Sequence, residues 1–194
     1  SADGHTLAVG AWGNDDGGQW AGQARIYTWD EANVEWTQKG DALNGEARWD
    51  HSGSSVDLSA DGHTLAVGAF RNGYASSSTK DQGHVRVYQW KNGAWNQLGG
   101  DIDGEELYGQ SGVAVDLSAD GFTLAIGAHE NSVENSKYHA GHVRVYRYNG
   151  VHWNQLGGDI NGEAQFDYSG SAIDLSDAGD IVAVGAYKND GNGT

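Results

Sequence analysis

Residues 58–69 read LSADGHTLAVGA, and close copies of this stretch recur along the chain. The copies are LSADGFTLAIGA at 117–128, LSDAGDIVAVGA at 175–186 and the shorter SADGHTLAVGA at 1–11. The serine that opens each copy lies at Ser1, Ser59, Ser118 and Ser176. Successive serines are therefore 58 or 59 residues apart, and a period this regular predicts a repeat architecture.

Each repeat carries the signals of four short strands joined by tight turns. In the second repeat, the segments rich in strand-forming residues lie at 52–59, 63–70, 83–90 and 94–100. The Ala60-Asp61-Gly62 stretch predicts a turn between the first two segments, because glycine adopts a positive φ without steric cost. Asn92-Gly93 is a strong hairpin signal between the last two. No segment has the apolar period of a helix, so the sequence predicts strands and turns alone.

Four antiparallel strands with apolar residues on both faces are typical of a β-propeller blade. A single blade cannot bury both faces, so blades must pack side by side around an axis. The small residues of LAVGA indicate close approach of a neighbouring backbone. We therefore expect the LAVGA strand to lie where the blades converge.

The repeats predict an all-β protein that forms one β-propeller repeat array over residues 1–194. The predicted units are 1–58, 59–117, 118–175 and a partial unit at 176–194. This is roughly three and a third blades, fewer than the four to eight of known propellers. We therefore expect a partial propeller or a fragment, completed by further blades from the same or another chain.

The composition excludes several partners and several kinds of chemistry. A formal charge of −16 repels nucleic acid and anionic lipid, so neither is an expected partner. Cysteine is absent, which excludes disulfides and thiolate chemistry. No apolar run is long enough to span a membrane as a helix. Such an acidic surface suits cations, basic surfaces or salty surroundings.

An acidic loop follows the fourth strand of the second and third repeats. Its alternating residues are Asp101, Asp103 and Glu105 in the second repeat, and Asp159, Asn161 and Glu163 in the third. Alternating oxygen ligands suit a hard cation such as Ca²⁺, with backbone carbonyls and water completing the coordination. The alternative is a solvated acidic turn whose side chains cap local amides. These six residues are the candidate metal ligands, and Ca²⁺ is the one cofactor that the sequence suggests.

The variable loops are the predicted binding surface. Because adjacent strands reverse direction, these loops emerge on one face together with the acidic loops, and we call it the loop face. The variable loops span residues 12–22, 70–82 and 129–140. The candidate ligand-binding residues in them are Trp12, Trp20 and Tyr74. Tryptophans that recur at the fourth strand are predicted to pack between blades, and they are Trp36, Trp95 and Trp153.

Three repeats share a Ser-Gly pair, a strand, a turn with Asp and Gly, and a Val-Gly-Ala or Ile-Gly-Ala ending. The pattern runs from Ser52-Gly53 to Ala69, from Ser111-Gly112 to Ala128 and from Ser169-Gly170 to Ala186. It resembles the FG-GAP-like family of integrin-type β-propellers, in particular divergent extracellular versions from microbes and algae. The resemblance implies a location outside the cell or at its surface, a role in adhesion, and calcium-binding loops.

The sequence contains no nucleophile elbow, phosphate-binding loop or zinc-protease motif, so it favours a protein that is not an enzyme. The leading interpretation is an extracellular scaffold that acts in adhesion by binding a protein or a glycan and by self-association. One alternative is a lectin-like glycan-binding module. The other is a segment, catalytic or not, of a larger glycan-processing enzyme.

Overall fold

A computed structural model describes residues 1–73, 80–133 and 137–191 of the chain. These residues form strands, turns and irregular segments, and none of them lies in a helix. The described residues therefore contain no helix long and apolar enough to cross a membrane. The strands, numbered β1 to β16, group into four antiparallel sheets.

Each sheet is one blade, and its strands follow one another along the chain. The first blade contains β1 (Thr6–Ala11), β2 (Gln23–Asp30), β3 (Glu35–Gln38) and β4 (Leu43–Asn44). The second contains β5 (Ser55–Leu58), β6 (Thr64–Ala69), β7 (His84–Lys91), β8 (Ala94–Gln97) and β9 (Ile102–Asp103). The third contains β10 (Ala114–Leu117), β11 (Thr123–Ala128), β12 (His142–Tyr148), β13 (Trp153–Gln155) and β14 (Ile160–Asn161). The fourth contains β15 (Ser169–Leu175) and β16 (Val182–Ala186).

The second blade shows the complete strand order. β5, β6, β7 and β8 are hydrogen-bonded neighbours in that order, and β9 pairs with β7 beyond the end of β8. β8 and β9 therefore form one outer strand, interrupted by residues 98–101. The third blade repeats this arrangement, the first blade holds the last three positions, and the fourth holds the first two. The prediction of an all-β fold with blades of four antiparallel strands is confirmed.

The predicted unit boundaries do not coincide with the edges of the blades. Ser59, Ser118 and Ser176 each follow the first strand of a blade, so each boundary falls between the first and second strands. The repeat length is unaffected by this offset. The offset arises because the most regular stretch of sequence is an internal turn and not the loop between two blades.

The first strands of three blades lie side by side at the centre of the array. β10 packs against both β5 and β15, and a channel of about 430 Å³ lies beside these strands. Its lining includes Asp57, Asp116 and Asp174. The prediction that the LAVGA strand lies where the blades converge is therefore wrong, because β6 is the second strand of its blade.

The small residues of the LAVGA strands instead allow neighbouring blades to touch through their backbones. A Cβ atom added at Gly68 of β6 would overlap the carbonyl oxygen of Gly112, which precedes the first strand of the next blade. Gly10 meets Gly53, and Gly127 meets Gly170, in the same way. Because one such contact lies at each of the three junctions, every blade approaches its neighbour at the same place.

The hydrophobic core lies between the blades. Val85 and Val87 of the second blade pack with Leu124 and Ile126 of the third, and all four are at most 1% exposed. Equivalent clusters join the first blade to the second and the third blade to the fourth. Burying each such side chain contributes about 1.5–3 kcal/mol, so a blade depends on its neighbours for most of its stability.

Carboxylates of the innermost strands also join neighbouring blades. Asp57 Oδ2 accepts a hydrogen bond of 2.7 Å from the backbone N–H of Leu117, and Asp116 Oδ2 accepts one of 2.5 Å from that of Leu175. Burial and the neighbouring Asp116 together raise the pKa of Asp57 to about 7, against the lowering effect of the Leu117 N–H. The junction therefore holds a carboxyl group whose ionised form is disfavoured.

Replacing Gly68 by alanine tests the backbone contact between blades. The added methyl group overlaps the Gly112 carbonyl, so the second and third blades must separate or distort. We expect Gly68→Ala to lower the free energy of unfolding by about 1–3 kcal/mol in a denaturant titration. Gly100→Ala is the matched control, because a Cβ at Gly100 meets nothing within 4 Å. Equal stability of the two variants would contradict the contact.

Replacing Asp57 by asparagine tests the raised pKa of this carboxyl group. Its folded pKa of about 7 exceeds its ordinary value of 3.8, so the folded state holds a proton that the unfolded state releases. The contribution of Asp57 to the stability of the wild type should therefore fall as the pH rises from about 4 to 7. Asparagine cannot ionise, and its amide oxygen can still accept the Leu117 N–H. We expect Asp57→Asn to gain about 1–3 kcal/mol over the wild type at pH 8 and little at pH 4.

The measurement is urea unfolding of the wild type and of Asp57→Asn at both pH values. A stability difference that is the same at pH 4 and pH 8 would show that Asp57 is ionised in the folded chain.

Candidate functional site

Five aromatic side chains meet on the loop face at the junction between the first and second blades. Trp12 follows β1, Trp20 precedes β2, Trp49 and His51 lead into β5, and Phe70 follows β6. We call these five residues the aromatic cluster. Two of the three predicted ligand-binding residues, Trp12 and Trp20, belong to it, while Tyr74 lies outside the described residues.

The rings of the aromatic cluster are in direct contact. The centroids of Trp12 and Trp20 are 5.6 Å apart, and those of Trp20 and Trp49 are 5.2 Å apart. His51 stacks on Trp12 with a centroid distance of 5.0 Å, and its ring meets Phe70 edge-on at 5.4 Å. These distances lie in the range of favourable aromatic pairs, so the rings hold one another in place.

A pocket of about 360 Å³ opens within the aromatic cluster. Its lining residues are Trp12, Trp20, His51, Ser54, Phe70 and Val113. Trp12 is 48% exposed and Trp20 is 38% exposed, so both indole rings are accessible from solvent. A largely apolar concavity of this size is typical of a small-molecule site.

His51 is the buried polar side chain of the pocket. It is 4% exposed, and neither of its ring nitrogens has a hydrogen-bond partner. Burial lowers the pKa of His51 and the positive charge of Arg71 lowers it further, while Asp81 raises it. Arg71 is itself 3.4 Å from Asp81 through its Nε atom. His51 is therefore a neutral ring at pH 7, and its unmet hydrogen-bonding capacity is unusual for a buried group.

The backbone of the aromatic cluster has left-handed conformations that non-glycine residues rarely adopt. Trp20, Trp49 and His51 have φ values of 57°, 73° and 57°. The equivalent residues in the later blades also have positive φ, and they are Asp81, Tyr108, Gln110, His139, Phe166 and Tyr168. Each such residue costs about 1–3 kcal/mol and persists only where the surrounding structure imposes it. The backbone therefore has the same conformation at each junction, while the side chains that it carries differ.

The junction between the third and fourth blades carries a second set of rings. Tyr168 and Tyr187 occupy the positions of His51 and Phe70, and their centroids are 5.2 Å apart. The ammonium group of Lys188 lies 4.3 Å from the centroid of Tyr168 and 5.5 Å from that of Tyr187. At this junction the chain places a cation of its own on the ring faces.

The acidic loops are divided between blades, although their residues are close in sequence. Asp101 lies with His84 of its own blade and Glu46 of the first blade, in a group whose ligand atoms are within 4.8 Å of one another. Glu105 forms the equivalent group with His142 and Asp159 of the third blade. The structure thus places Asp101 and Glu105 in different clusters.

The remaining predicted metal ligands lie beside these clusters. Asp103 in β9 and Asn161 in β14 pair through their backbones with His84 and His142, and Glu163 is exposed in the loop after β14. Burial raises the pKa of Asp103, and the neighbouring Asp101 adds to this effect. None of these three belongs to a three-ligand group among the described residues.

An arginine side chain already pairs with the glutamate of each acidic group. Arg86 lies 3.4 Å from Glu46, and Arg144 lies 3.2 Å from Glu105. Burial, followed by the nearby arginine, lowers the pKa of both His84 and His142 to about 4. A cation entering either group would have to displace a guanidinium, so the arrangement favours an ion-pair junction between blades over a calcium loop.

Sequence reasoning missed three members of the aromatic cluster: Trp49, His51 and Phe70. One signal for them was present, because Trp49-Asp50-His51 stands before a Ser-Gly pair just as Phe166-Asp167-Tyr168 does. Of the repeated tryptophans, Trp95 and Trp153 donate hydrogen bonds of 2.8 and 2.7 Å to carbonyls of the preceding blade. They lie between blades and not in the pocket.

Comparison with known proteins shows the fold but no family. No protein-family model and no curated protein matches the chain. Among solved structures, one from Bacteroides fragilis NCTC 9343, provisionally named a 6-phosphogluconolactonase, matches with a TM-score of 0.57 and 16% sequence identity. The match covers 95% of this chain and 45% of the length of that protein. That fold is a β-propeller. The chain is a partial β-propeller.

Two further structures give the same result. One from Bacteroides uniformis ATCC 8492, with the same provisional name, has a TM-score of 0.54, 13% identity, and coverage of 84% of this chain and 41% of its own. A protein from Lactobacillus plantarum has a TM-score of 0.54, 17% identity, and coverage of 87% and 43%. The chain therefore spans less than half of the length of these structures, and identities this low show the fold alone.

The resemblance to the FG-GAP-like family is wrong, because the structures that match this chain include propellers of a different kind. The pattern that suggested it consists of Asp-Gly turns and small residues in strands. Tight turns and close approach of backbones occur in many folds and favour these residues in all of them, so the pattern does not identify a family. The extracellular location, adhesion role and calcium loops that the resemblance implied lose that support.

A calcium titration tests the acidic loops. Because Arg86 pairs with Glu46 and Arg144 pairs with Glu105, we expect millimolar calcium to change the melting temperature no more than the same concentration of magnesium does. Differential scanning calorimetry measures both. A calcium-specific rise that disappears in Glu105→Gln would show instead that calcium displaces Arg144 and binds there.

Proposed function

We propose that this chain is a non-catalytic β-propeller module that binds a ligand in the aromatic cluster and so acts as a scaffold for adhesion. The observation that carries this proposal is the pocket of about 360 Å³ between the exposed rings of Trp12 and Trp20. It lies on the face where variable loops emerge from a rigid array, which is where binding residues usually lie.

The alternative for the aromatic cluster is packing between blades. Packing explains Trp95 and Trp153, which are partly buried and donate hydrogen bonds to the preceding blade. It does not explain a cluster that leaves two indole rings open to solvent and a buried His51 without partners. Exposed aromatic rings around a concavity with unmet polar groups are the features of a binding site.

The provisional name of the structural neighbours suggests a lactonase, and the charges of this chain oppose it. The named substrate carries a phosphate group, which requires cationic or amide donors. The central channel of this chain is lined by Asp57, Asp116 and Asp174, and the formal charge is −16. We therefore propose no catalytic role for this part of the protein.

The proposed partner follows from the same surface. A ligand group presented by a protein or a glycan can enter the pocket from the loop face, which fits a role in adhesion. We further propose that the module acts outside the cell and that blades of the same or another chain pack against its two ends.

Binding of small probes tests the proposed function. Saturation-transfer NMR would screen methyl glucoside, N-acetylglucosamine, choline and inorganic phosphate against the chain. We expect at least one organic probe to bind the wild type, Trp12→Ala to weaken that binding about tenfold or more, and phosphate to give no signal. Hydrolysis of 6-phosphogluconolactone should proceed at the rate seen without protein.

Trp36→Ala is the matched control for this experiment. Trp36 is 42% exposed, contacts Trp29 at a centroid distance of 5.5 Å and does not line the pocket. Its loss should leave probe binding unchanged. Binding that survives Trp12→Ala, or the absence of binding by all three organic probes, would refute the proposed function.

A further inference from the structure

We infer that the pocket of the aromatic cluster is a cage for a trimethylammonium group, as carried by choline. The inference rests on the proposed function, because it names the ligand class of the same site. A quaternary ammonium ion binds the faces of aromatic rings through their quadrupoles, and it needs no hydrogen-bond partner.

The lining of the pocket fits such a cation better than a sugar. Trp12, Trp20, His51 and Phe70 supply four rings, and among the described residues the lining contains no carboxylate, carboxamide or ammonium side chain. The hydroxyl of Ser54 already donates a hydrogen bond of 3.2 Å to the carbonyl of Gly68. The unpaired ring nitrogens of His51 are the buried polar side-chain atoms that the described lining still offers, and they are too few for the several hydroxyl groups of a sugar. Methyl groups on nitrogen need only van der Waals contact with the rings.

The chain itself places an ammonium group over the rings at the equivalent positions of another junction. At the junction of the third and fourth blades, Lys188 lies over Tyr168 and Tyr187, the residues equivalent to His51 and Phe70. At the first junction the residue equivalent to Lys188 is Arg71, which pairs with Asp81 and does not line the pocket. The same two positions therefore carry rings beneath an internal cation at one junction and rings that line a pocket at the other.

The electrostatics of the pocket also favour a cation. His51 is a neutral ring at pH 7, since burial and then Arg71 lower its pKa, so it does not repel an incoming ammonium. The formal charge of −16 raises the local concentration of cations around the chain. A neutral apolar ligand would gain nothing from this charge.

A neutral isostere separates cation recognition from simple hydrophobic binding. Choline and 3,3-dimethylbutan-1-ol have nearly the same shape, and only choline is charged. Isothermal titration calorimetry of the intact chain should show choline binding about tenfold more tightly than the alcohol. Trp12→Leu keeps apolar bulk but removes the ring, and it should abolish most of this preference, whereas Trp36→Leu should keep it.

Phosphatidylcholine vesicles distinguish the source of the group. Binding of both choline and vesicles supports the cage with a lipid headgroup as its source, and binding of choline alone supports it with a soluble ligand as its source. Equal affinity for choline and the alcohol would overturn the inference. Binding of methyl glucoside without choline would also overturn it and leave the proposed function standing, while binding of no probe would remove both.

Discussion

The contact between a glycine of one blade and the carbonyl of a glycine in the next blade determines how the rest of the structure is arranged. At Gly10, Gly68 and Gly127 a side chain would overlap the neighbouring backbone, so the absence of one lets adjacent blades meet at van der Waals distance. The valine, leucine and isoleucine side chains then fill the space between the sheets, and the innermost strands come together around the channel. A blade that lost these contacts would expose an apolar face that nothing else in the chain covers.

The candidate site is a consequence of the same geometry. The loops that begin at Trp12 and Phe70 leave equivalent strands of neighbouring blades, so close packing of the blades brings these two residues to one junction. Residues with positive φ recur at equivalent positions of these loops at all three junctions, so the fold itself determines the backbone conformation there. The chemistry belongs to the residues placed there: indole rings and a neutral histidine at the first junction, and tyrosines covered by Lys188 at the last. A common fold with variable sites is the usual division between architecture and function.

Local features of the sequence were predictable, and features that depend on two repeats were not. The strands around Gly62 and Asn92-Gly93 follow from turn chemistry and alternation, and the exposure of Trp12 and Trp20 follows from their loops. The contact between His51 and Trp12 could not be predicted from the sequence, because the two residues are 39 positions apart and lie in different blades. The prediction that Asp101 and Glu105 bind one metal ion failed for the opposite reason. These residues are neighbours in one loop, but their side chains turn toward different blades. The innermost strand was misassigned because small residues indicate a close neighbour without saying which one.

The most direct test of this account is the proximity of the Trp12 and His51 rings in solution. Nuclear Overhauser contacts between their ring protons report it, and the structure stacks the two rings with centroids 5.0 Å apart. These contacts should be present in the wild type and lost in Gly10→Ala, where the added methyl group separates the first blade from Gly53. Absence of the contacts in the wild type, or their persistence in a folded Gly10→Ala variant, would show that the junction between blades does not build the site.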